Sequence, residues 1–286
     1  MRVLVTGAKG QLGTDVMAEL KSNNIEAVGI DREELDIVDA KACEEFFDKA
    51  NAEKRIDAVI HCAAYTAVDK AEDEQELSYN INALGTKNIA TACKKFDMKL
   101  MYISTDYVFN GQGERPWEPD DERQPLNVYG KTKYEGELFV EEIAKKYFIV
   151  RIAWVFGIAG NNFIKTMLKL AKERDSLTVV DDQIGSPTYT ADLSKLLVSM
   201  IQTDKYGRYH ATNEGYCSWY EFAKEIFKVA GVTINVAPVD SSAYPAKAKR
   251  PANSRMEKKK LDEAGFKRLP SWQDATRRYI EELQKL

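Results

Sequence analysis

The sequence predicts an α/β protein: a Rossmann-type, doubly wound parallel sheet with a smaller C-terminal α/β lobe that binds substrate. In the first half of the chain, short β-branched runs alternate with amphipathic helical stretches, which is typical of parallel strands covered by helices. A glycine-rich turn comes directly after the first of these strand patterns. The length of 286 residues allows one large domain or two unequal ones.

Taken in chain order, the elements divide into two regions. We expect residues 1–157 to form a nucleotide-binding domain, completed by a return segment near 177–205, and residues 158–286 to form mainly the substrate lobe. The predicted strands are 2–6, 26–30, 57–62, 99–104, 148–152, 177–180 and 234–238. The predicted helices are 11–22, 39–51, 72–96, 128–147, 163–173, 191–203, 219–230 and 272–284. Residues 110–127, with three prolines and two glycines, predict a long loop.

The charge balance and the scarce residue types exclude several classes of protein. There are 41 Lys and Arg against 45 Asp and Glu, a formal net charge of −4, which argues against a nucleic-acid partner. Two histidines are too few for a histidine-rich zinc site. Four cysteines without a Cys-x-x-Cys pair predict free thiols, and we expect a cytoplasmic protein without a secretory leader. No apolar run reaches the roughly 18 residues of a membrane span.

The turn after the first strand has the glycine spacing of a phosphate-binding loop. Gly7, Gly10 and Gly13 lie between the strand pattern and the first helical pattern. One glycine permits the tight turn, one lets the backbone approach a pyrophosphate, and one allows close helix–strand packing. The helix N-terminus then offers free N–H groups to the phosphates. An ordinary tight turn would use the same residues, but the position of this one favours dinucleotide binding.

A pair of residues at the end of the second strand, Asp31 and Arg32, bears on which dinucleotide is bound. Asp31 ends the strand about 20 residues beyond the glycines, where an acid binds the ribose hydroxyls of NAD. Arg32 follows, and a guanidinium can pair with the extra phosphate of NADP. A surface salt bridge is the alternative role for Arg32. The sequence therefore leaves NADH and NADPH both open.

Tyr129 and Lys133 suggest the proton chemistry. Residues four apart share one helix face, so the lysine can favour ionisation of the phenol. Unit charges about 4 Å apart interact by about 4 kcal/mol at an effective dielectric near 20, which predicts a phenol pKa lowered from about 10 toward 7. A general acid at neutral pH needs such a value. The same pair also occurs on ordinary helix surfaces.

A threonine near this pair strengthens the catalytic interpretation. Thr105 stands in the run Ser104-Thr105-Asp106-Tyr107-Val108-Phe109, directly after the fourth predicted strand. The carboxyl ends of such strands face the ligand crevice, so the hydroxyl is expected where Tyr129 acts. A hydroxyl and a phenol together can hold a carbonyl oxygen and protonate it while a nicotinamide delivers hydride to the carbon.

With these motifs, the chain resembles the extended short-chain dehydrogenase/reductase family, and within it the reductases of nucleotide sugars. Further segments that match are 35–39, 61–69, 80–82, 151–157, 182–188 and 250–255. The resemblance implies an NAD(P)-binding Rossmann domain, NADPH as cofactor with NADH as the second choice, and a dTDP-sugar substrate reduced at its C4 keto group. It also leaves a homodimer open.

The resemblance implies roles for individual residues. Tyr129 would donate the proton to the C4 keto oxygen, Lys133 would lower its pKa and bind the nicotinamide ribose, and Thr105 would hydrogen-bond the sugar oxygen. The implied cofactor-binding residues are Gly7, Gly10, Gln11, Leu12, Gly13, Asp31, Arg32, Asp36, Ile37, Ala63, Ala64, Tyr65, Tyr129 and Lys133. The implied substrate-binding residues are Val68, Thr105, Tyr107, Tyr129, Trp154, Asn162 and Arg255.

Two other functions remain open on these residues. A sugar-nucleotide epimerase or dehydratase of the same family would share the motifs, and Asp106 beside Thr105 suits a dehydratase. A non-catalytic NADP-binding regulatory subunit, resembling that of methionine adenosyltransferase, is the other alternative. The intact Thr105, Tyr129 and Lys133 argue against it.

The remaining conspicuous residues favour structural roles. Some family members join two chains through magnesium held by acidic residues, but the corresponding Asp15 and Asp192 are short, so we expect no metal site. Trp219 and Phe222 recur at near-helical spacing, which predicts a core-facing helix. The run 258–260 of three lysines predicts a solvated helix face.

Overall fold

The fold is built on a central sheet of six strands. The computed structural model describes residues 1–285, so Leu286, the last position of the predicted substrate lobe, lies outside the described residues. All neighbouring strands in the central sheet are parallel. The strands are β1 (Arg2–Thr6), β2 (Glu26–Ile30), β3 (Ala58–His61), β4 (Lys99–Thr105), β5 (Tyr147–Ile152), β6 (Val155–Phe156), β7 (Ser176–Val180), β8 (Ile184–Gly185), β9 (Thr188–Tyr189), β10 (Gly207–His210), β11 (Cys217–Ser218) and β12 (Asn235–Val239). The central order is β10-β5-β4-β3-β1-β2, so the strand order reverses at β1 and β3. Their carboxyl ends therefore flank the crevice where such sheets bind ligands.

Helices cover both faces of this sheet. The helices are α1 (Gln11–Ser22), α2 (Ala40–Glu53), α3 (Val68–Ala71), α4 (Gln75–Tyr79), α5 (Thr86–Lys95), α6 (Val128–Ile143), α7 (Phe163–Glu173), α8 (Thr190–Ile201), α9 (Trp219–Ala230), α10 (Lys259–Glu263) and α11 (Trp272–Leu283). On one face, α1 and α8 bury Val16 and Leu197; on the other, α2, α5 and α6 bury Phe47, Ile89 and Val140. The predicted α/β fold class is confirmed.

The first strand shows why its apolar run does not alternate with polar residues. Val3 and Val5 are fully buried in the core on one face of the sheet, and Leu4 is fully buried in the core on the other. A strand covered on both faces has no solvent side, so polar residues would find no water there. This doubly buried strand delivers the glycine loop at its carboxyl end.

One long predicted helix is interrupted. The stretch predicted as 72–96 divides into α4, a π-helical turn Asn80–Gly85, and α5. The Asn82 side chain accepts a hydrogen bond from the Tyr65 backbone N–H at 2.8 Å and donates one to the Tyr65 carbonyl oxygen at 3.1 Å. Gly85 packs against Ile37, where a Cβ would approach the Ile37 side chain to 2.7 Å. These tertiary contacts, which no periodic pattern records, accompany the π-helical turn; the backbone keeps helical angles through it, so the predicted helix is confirmed from residue 75 to residue 95.

The C-terminal lobe has its own core. Helices α7, α9 and α11 enclose Phe156, Phe222 and Tyr279, beside the short strand pairs β7–β12, β6–β9 and β8–β11. Helix α9 begins with a capping box between Ser218 and Glu221. No helix within residues 1–285 is both long and apolar enough to cross a membrane.

The return segment differs from the prediction of 177–205. Strand β7 pairs with β12 in the small lobe, whereas α8 packs against α1 and β10 joins the central sheet beside β5. The part that rejoins the nucleotide-binding region thus runs through α8 and ends at β10, past the predicted limit. The prediction differs because strand pairing is a long-range choice that local sequence does not encode. The boundary near residue 157 stays a prediction.

The three lysines of 258–260 are not all solvated. Lys258 is 2% exposed, and its amine lies 3.3 Å from both the Thr212 hydroxyl and the Asn213 carbonyl oxygen. Glu214 provides the matching carboxylate, 3.1 Å from the amine. The prediction of a solvated face is therefore wrong for Lys258, because this buried position supplies its own acceptors.

Candidate active site

The glycine loop is shaped so that side chains are excluded from it. Gly7 adopts a φ of +65°, and a Cβ on it would come within 2.8 Å of the Ala63 backbone nitrogen at the end of β3. A Cβ on Gly13 would overlap the carbonyl oxygen of Gly7. The Gly10 N–H closes the turn by donating to Gly7 O at 3.0 Å. The loop therefore presents bare backbone at the N-terminus of α1, which suits an anion.

A cavity of about 880 Å³ extends from this loop along the carboxyl ends of the central strands. That volume is within the usual range for a cofactor or ligand site. Its lining includes most of the predicted site residues: Gly7, Gly10, Gln11, Leu12, Gly13, Asp31, Arg32, Asp36, Ile37, Ala63, Ala64, Val68, Thr105, Tyr107, Tyr129, Lys133 and Trp154. The fold thus brings residues from six separate parts of the sequence to one cleft.

At the end of the cleft beside the glycine loop, Asp31 contacts the loop backbone. Its carboxylate accepts a hydrogen bond from the Lys9 backbone N–H at 3.1 Å. Arg32 projects into solvent, with 81% of its side chain exposed, and its Nε lies 3.5 Å from a carboxylate oxygen of Asp36. Because exposed ion pairs are weak, the guanidinium can exchange this partner for a phosphate at little cost.

Tyr129 stands on the first turn of α6, above the end of β4. Asn127 caps this helix by accepting the Gly130 N–H at 2.8 Å. The ring of Tyr107 meets the Tyr129 ring edge-on, with centroids 5.5 Å apart. Thr105 follows directly at the end of β4, and its oxygen accepts the Tyr107 N–H at 3.3 Å. The two hydroxyl groups predicted to act together therefore line the same part of the cleft.

Lys133 is buried one turn further along α6. Its amine donates to Ile103 O at 2.7 Å and lies 4.1 Å from the centre of the Tyr102 ring. Burial lowers the pKa of this amine to about 7, although the Glu137 carboxylate opposes the change. The lysine is thus held rigidly and titrates near neutrality.

The sequence argument about the phenol pKa is wrong for this structure. Burial raises the pKa of the Tyr129 phenol above its usual range, a hydrogen bond with Thr105 opposes the rise, and the Asp106 carboxylate adds to it. The expected lowering assumed that Lys133 would face the phenol in a solvated setting. Instead the amine is bound to Ile103, and the phenol loses hydration that would stabilise its anion.

Asp106 is a residue to which sequence reasoning assigned no role beyond its suitability for a dehydratase. It is 3% exposed, borders the cleft, and accepts the Thr105 hydroxyl at 3.0 Å. Burial raises the pKa of its carboxyl to about 6, and the nearby Ser254 and Thr105 hydroxyl groups oppose the rise. Its position directly after Thr105 in the sequence motif was the feature from which a place in the site could have been predicted.

An aromatic wall bounds the cleft on the side of the small lobe. Trp154 has a φ of +49° and stacks on Trp219 with ring centroids 3.7 Å apart. Phe163 packs on Trp219 at 4.6 Å. Sequence periodicity assigned Trp219 to a core face, but it lines the cleft, because it stands at the first position of α9. Phe222, one turn later, is buried in the core as predicted and also reaches the cleft wall.

Three predicted site residues do not line this cleft. The Tyr65 hydroxyl donates to Glu74, away from the glycine loop. Asn162 caps α7 by accepting the Lys165 N–H at 3.1 Å, and its amide donates to Gly157 O at 2.9 Å, so it holds the scaffold together. The Arg255 guanidinium donates to the Asn253 side chain at 3.1 Å. Their positions within the sequence motifs predicted that these residues would lie at the site, but their side chains form hydrogen bonds to other parts of the protein.

Of the two acidic residues compared with a magnesium-linked dimer, one is bound to a cation and the other lies beside a second carboxyl group. Arg278 binds both carboxylate oxygens of Asp192, at 2.8 and 2.6 Å. Asp15 lies near Glu282, and burial raises the pKa of its carboxyl. Within residues 1–285, no group of three or more potential metal ligands gathers in one place.

A second cavity of about 1230 Å³ opens beyond the aromatic wall. Phe163 and Trp219 border both cavities, so the two spaces adjoin. Arg250 lines the second cavity and binds Asp69 through two hydrogen bonds, at 3.2 and 2.6 Å. The protein therefore offers an elongated site, with a glycine loop at one end and a guanidinium in the second chamber.

An oxidoreductase of the short-chain dehydrogenase/reductase class is what this arrangement defines, since the dinucleotide-type loop and the hydroxyl groups open onto one cleft. Within that class, the chain belongs to the family described as RmlD substrate binding domain, whose family model matches residues 1–285. The resemblance inferred from the motifs is thereby confirmed.

Individual relatives agree over nearly the whole length. The dTDP-4-dehydrorhamnose reductase of Aggregatibacter actinomycetemcomitans is 40% identical, over 96% of this chain and 96% of that protein. The crystal structure of a dTDP-4-dehydrorhamnose reductase from Clostridium acetobutylicum is similar with a TM-score of 0.96 and 44% identity, covering 99% of this chain and 100% of that one. The enzyme from Bacillus anthracis, solved in complex with NADP, has a TM-score of 0.94 and 45% identity, covering 98% and 99%.

Proposed function

We propose that this protein reduces the C4 keto group of dTDP-4-dehydro-6-deoxy-L-mannose to give dTDP-L-rhamnose, with NADPH as the reductant. The observation that carries the proposal is the meeting of Thr105, Tyr129 and Lys133 in the cleft that begins at the glycine loop. Relatives named dTDP-4-dehydrorhamnose reductase support the substrate and the reaction.

The residues in the cleft fit a dinucleotide. The bare backbone at Gly7, Gly10 and Gly13 suits the pyrophosphate, since a Cβ at Gly7 or Gly13 would clash with neighbouring backbone. Asp31 and Arg32 lie at the adenosine end, together with Asp36 and Ile37, and Ala63 and Ala64 lie toward the nicotinamide end. When bound, NADPH supplies the hydride for the C4 carbon. The structure of the NADP complex from Bacillus anthracis supports this cofactor, with NADH as the second choice.

The protein's own groups handle the proton. Because burial raises the pKa of the Tyr129 phenol, the phenol keeps its proton at neutral pH and can give it to the C4 oxygen as the negative charge develops there. Thr105 holds that oxygen in place through its hydroxyl. Lys133, with a pKa of about 7, lines the same cleft and can bind the ribose.

The substrate spans the two cavities in this proposal. Val68, Tyr107 and Trp154 surround the sugar in the first cavity, with Trp219 completing the aromatic wall. The anionic dTDP portion extends into the second cavity, where the Arg250 guanidinium would exchange its Asp69 partner for the diphosphate. The small lobe therefore contributes the part of the site that distinguishes a nucleotide sugar from a simple ketone.

One assay tests this function against its alternatives. The protein is incubated with NADPH and the 4-keto-6-deoxy-L-sugar nucleotide, made in place by a 3,5-epimerase, and nicotinamide absorbance is followed. We expect oxidation of NADPH and formation of dTDP-L-rhamnose. A non-catalytic regulatory subunit would bind NADPH without oxidising it, and an epimerase or dehydratase would change the sugar without net oxidation. Either result would overturn the proposal.

We also propose that the protein acts in the cytoplasm. The four cysteines are free thiols in the structure, which suits a reducing compartment. A homodimer stays a prediction from the resemblance, and sedimentation of the purified chain tests it.

A further inference from the structure

Asp106 is a buried carboxyl at the wall of the cleft that the chemistry above does not use. Oδ1 accepts the Thr105 hydroxyl at 3.0 Å, whereas Oδ2 is buried and has no hydrogen-bond partner anywhere in residues 1–285. More than about 90% of buried polar groups in native proteins are paired. An unpaired carboxyl oxygen beside the reacting groups therefore indicates a task that its burial serves.

The groups around Asp106 leave it without a basic partner. It begins the short 3-10 turn after β4, and its neighbours are Tyr107 on that turn, Tyr129 on α6 and Ser254 on the C-terminal segment. The charge of Arg250 lowers the pKa of Tyr107, and its guanidinium is bound to the Asp69 carboxylate. The main influences on the pKa of Asp106 are burial and hydrogen-bonding groups, and none of these is a lysine or arginine. The carboxyl is thus free to hold a proton.

We propose that Asp106 is the proton reserve of this active site and resupplies the Tyr129 phenol through the Thr105 hydroxyl. The inference rests on the proposed reductase function. Because Asp106 acts through Thr105 and does not touch the sugar, it is a positioning residue. Its chain neighbour Thr105 is the link, since that hydroxyl binds the carboxyl at 3.0 Å and lines the same cleft as the phenol.

The proton transfers balance. As C4 is reduced, the O–H bond of Tyr129 breaks and an O–H bond forms on the C4 oxygen, which holds the former π electron pair. The phenolate takes the hydroxyl proton of Thr105, and Thr105 takes the carboxyl proton of Asp106. Asp106 is left as a carboxylate and is reprotonated from water between turnovers. The hydride from the cofactor is the only redox equivalent used.

The direction of one hydrogen bond depends on this proton. When Asp106 is ionised, Thr105 must donate to it and has no hydrogen left for the phenol or the sugar. When Asp106 is protonated, the carboxyl donates to Thr105, and the threonine hydrogen is free to hold the sugar oxygen and then, once the phenol has given up its proton, to turn toward Tyr129. Burial raises the pKa of Asp106 to about 6, so both forms are accessible near neutral pH.

The test uses Asp106→Asn in the full-length enzyme. Asparagine has the same size and still accepts from Thr105, but it carries no transferable proton. We measure kcat, the KM values for sugar and NADPH, and their pH dependence from about pH 5 to 9. We expect kcat to fall by about 10- to 100-fold with KM values changed less than about twofold. The wild-type kcat should decline as pH rises through the pKa near 6, and the variant should lose this step.

Three further measurements keep the proposal falsifiable. Thr105→Val interrupts the relay without altering the carboxyl and must also remove the step near pH 6, whereas Thr105→Ser must retain it. Asp15→Asn is the matched control, since Asp15 also has a buried oxygen without a partner within residues 1–285 but lies outside the cleft. It should keep the wild-type kcat and pH profile.

Clear outcomes overturn the idea. An Asp106→Asn enzyme with wild-type kcat and pH profile would refute it, as would Thr105→Val with an intact step near pH 6. Wild-type protein that does not oxidise NADPH with the sugar refutes the proposed function instead. In that case, carbon-13 NMR of labelled aspartate still decides the inference: an Asp106 carboxyl that titrates near 4, or is unaffected by Thr105→Val, contradicts it.

Discussion

At the scale of single residues, burial controls the chemistry more than charge pairing does. Tyr129 and Asp106 both hold their protons more firmly than in water, because their anions lose hydration in the cleft. Lys133 holds its proton less firmly for the same reason. Burial thus shifts the three pKa values in the directions that let the phenol act as an acid and the amine titrate near neutrality.

The role of Tyr129 makes a direct prediction. Tyr129→Phe removes the proton donor and leaves the ring, so kcat should fall by about 100-fold or more while NADPH binding persists. Steady-state kinetics and fluorescence titration of NADPH measure the two effects. Tyr134→Phe, on the same helix and beneath Arg123, is the control and should behave as the wild type. Full activity of Tyr129→Phe would remove the phenol from the mechanism.

Cofactor preference is also a matter of one residue. Arg32→Ala should raise the KM for NADPH by about tenfold, equivalent to about 1.4 kcal/mol, and leave the KM for NADH nearly unchanged. The physical reason is that Arg32 lies at the adenosine end of the cleft, where its guanidinium can reach the phosphate that NADPH carries and NADH lacks. Arg55→Ala removes another exposed arginine, paired with Asp57 at 3.5 Å, and serves as the control. An unaltered preference would show that Arg32 has no part in it.

At the scale of elements, a buried ion pair attaches the catalytic helix to the sheet. Glu137 on α6 and Arg151 on β5 are both fully buried and are joined by two hydrogen bonds of 2.8 Å. Ser104, next to Thr105, also donates to Glu137 at 2.5 Å. One carboxylate therefore aligns the helix that carries Tyr129 with the strand end that carries Thr105.

This pair predicts an acid dependence of stability. Burial alone would raise the pKa of Glu137, but the charge and hydrogen bonds of Arg151, helped by Ser104 and Arg123, hold it at about 2. A carboxyl whose folded pKa lies below its unfolded value stabilises the fold above the unfolded pKa, about 4.3. That stabilisation should be lost as pH falls from about 5 toward 2.

Glu137→Gln tests the pair. The change leaves the Arg151 charge buried without its partner, so the free energy of unfolding at pH 7 should fall by about 3 to 5 kcal/mol. Urea unfolding at a series of pH values measures this free energy. The difference in free energy of unfolding between variant and wild type should close as pH falls from about 5 toward 2. Exposed Glu142 on the same helix provides the control Glu142→Gln. A constant gap at every pH would contradict the assignment.

At the scale of the whole molecule, the site exists because two lobes meet. The glycine loop and the catalytic groups come from the central sheet, while Trp219, Phe163 and Arg250 come from the C-terminal half. Trp219 borders both cavities and so joins the proposed sugar and nucleotide positions. Binding of the substrate therefore depends on packing between regions far apart in sequence.

Trp219→Ala should weaken sugar binding selectively. Loss of the stack with Trp154 should raise the KM for the nucleotide sugar by about threefold to tenfold, in line with about 0.5 to 1.5 kcal/mol for an aromatic pair. The KM for NADPH should stay the same, because the glycine loop is untouched. Tyr220→Ala removes the adjacent aromatic of α9 as a control. Equal effects of both changes on both constants would indicate general damage to the lobe.

Much of this architecture was predictable from local patterns. Strands β1 and β2 and helices α1, α7 and α9 have the predicted bounds, because apolar periodicity and glycine or cap residues define them without distant partners. The short strands β6, β8, β9 and β11, each of two residues, were not predicted. Their pairing depends on chain segments that only the folded lobe brings together.

The site divides in the same way. Sequence by itself determined the family, the glycine loop and the Thr105, Tyr129 and Lys133 set, because these depend on residue type at fixed spacing. Only the tertiary structure decided that Lys133 binds the Ile103 carbonyl, that Asn162 serves the scaffold and that Asp106 is buried with a free oxygen. Hydration and hydrogen-bond partners arise from through-space packing, and no spacing along the chain records them.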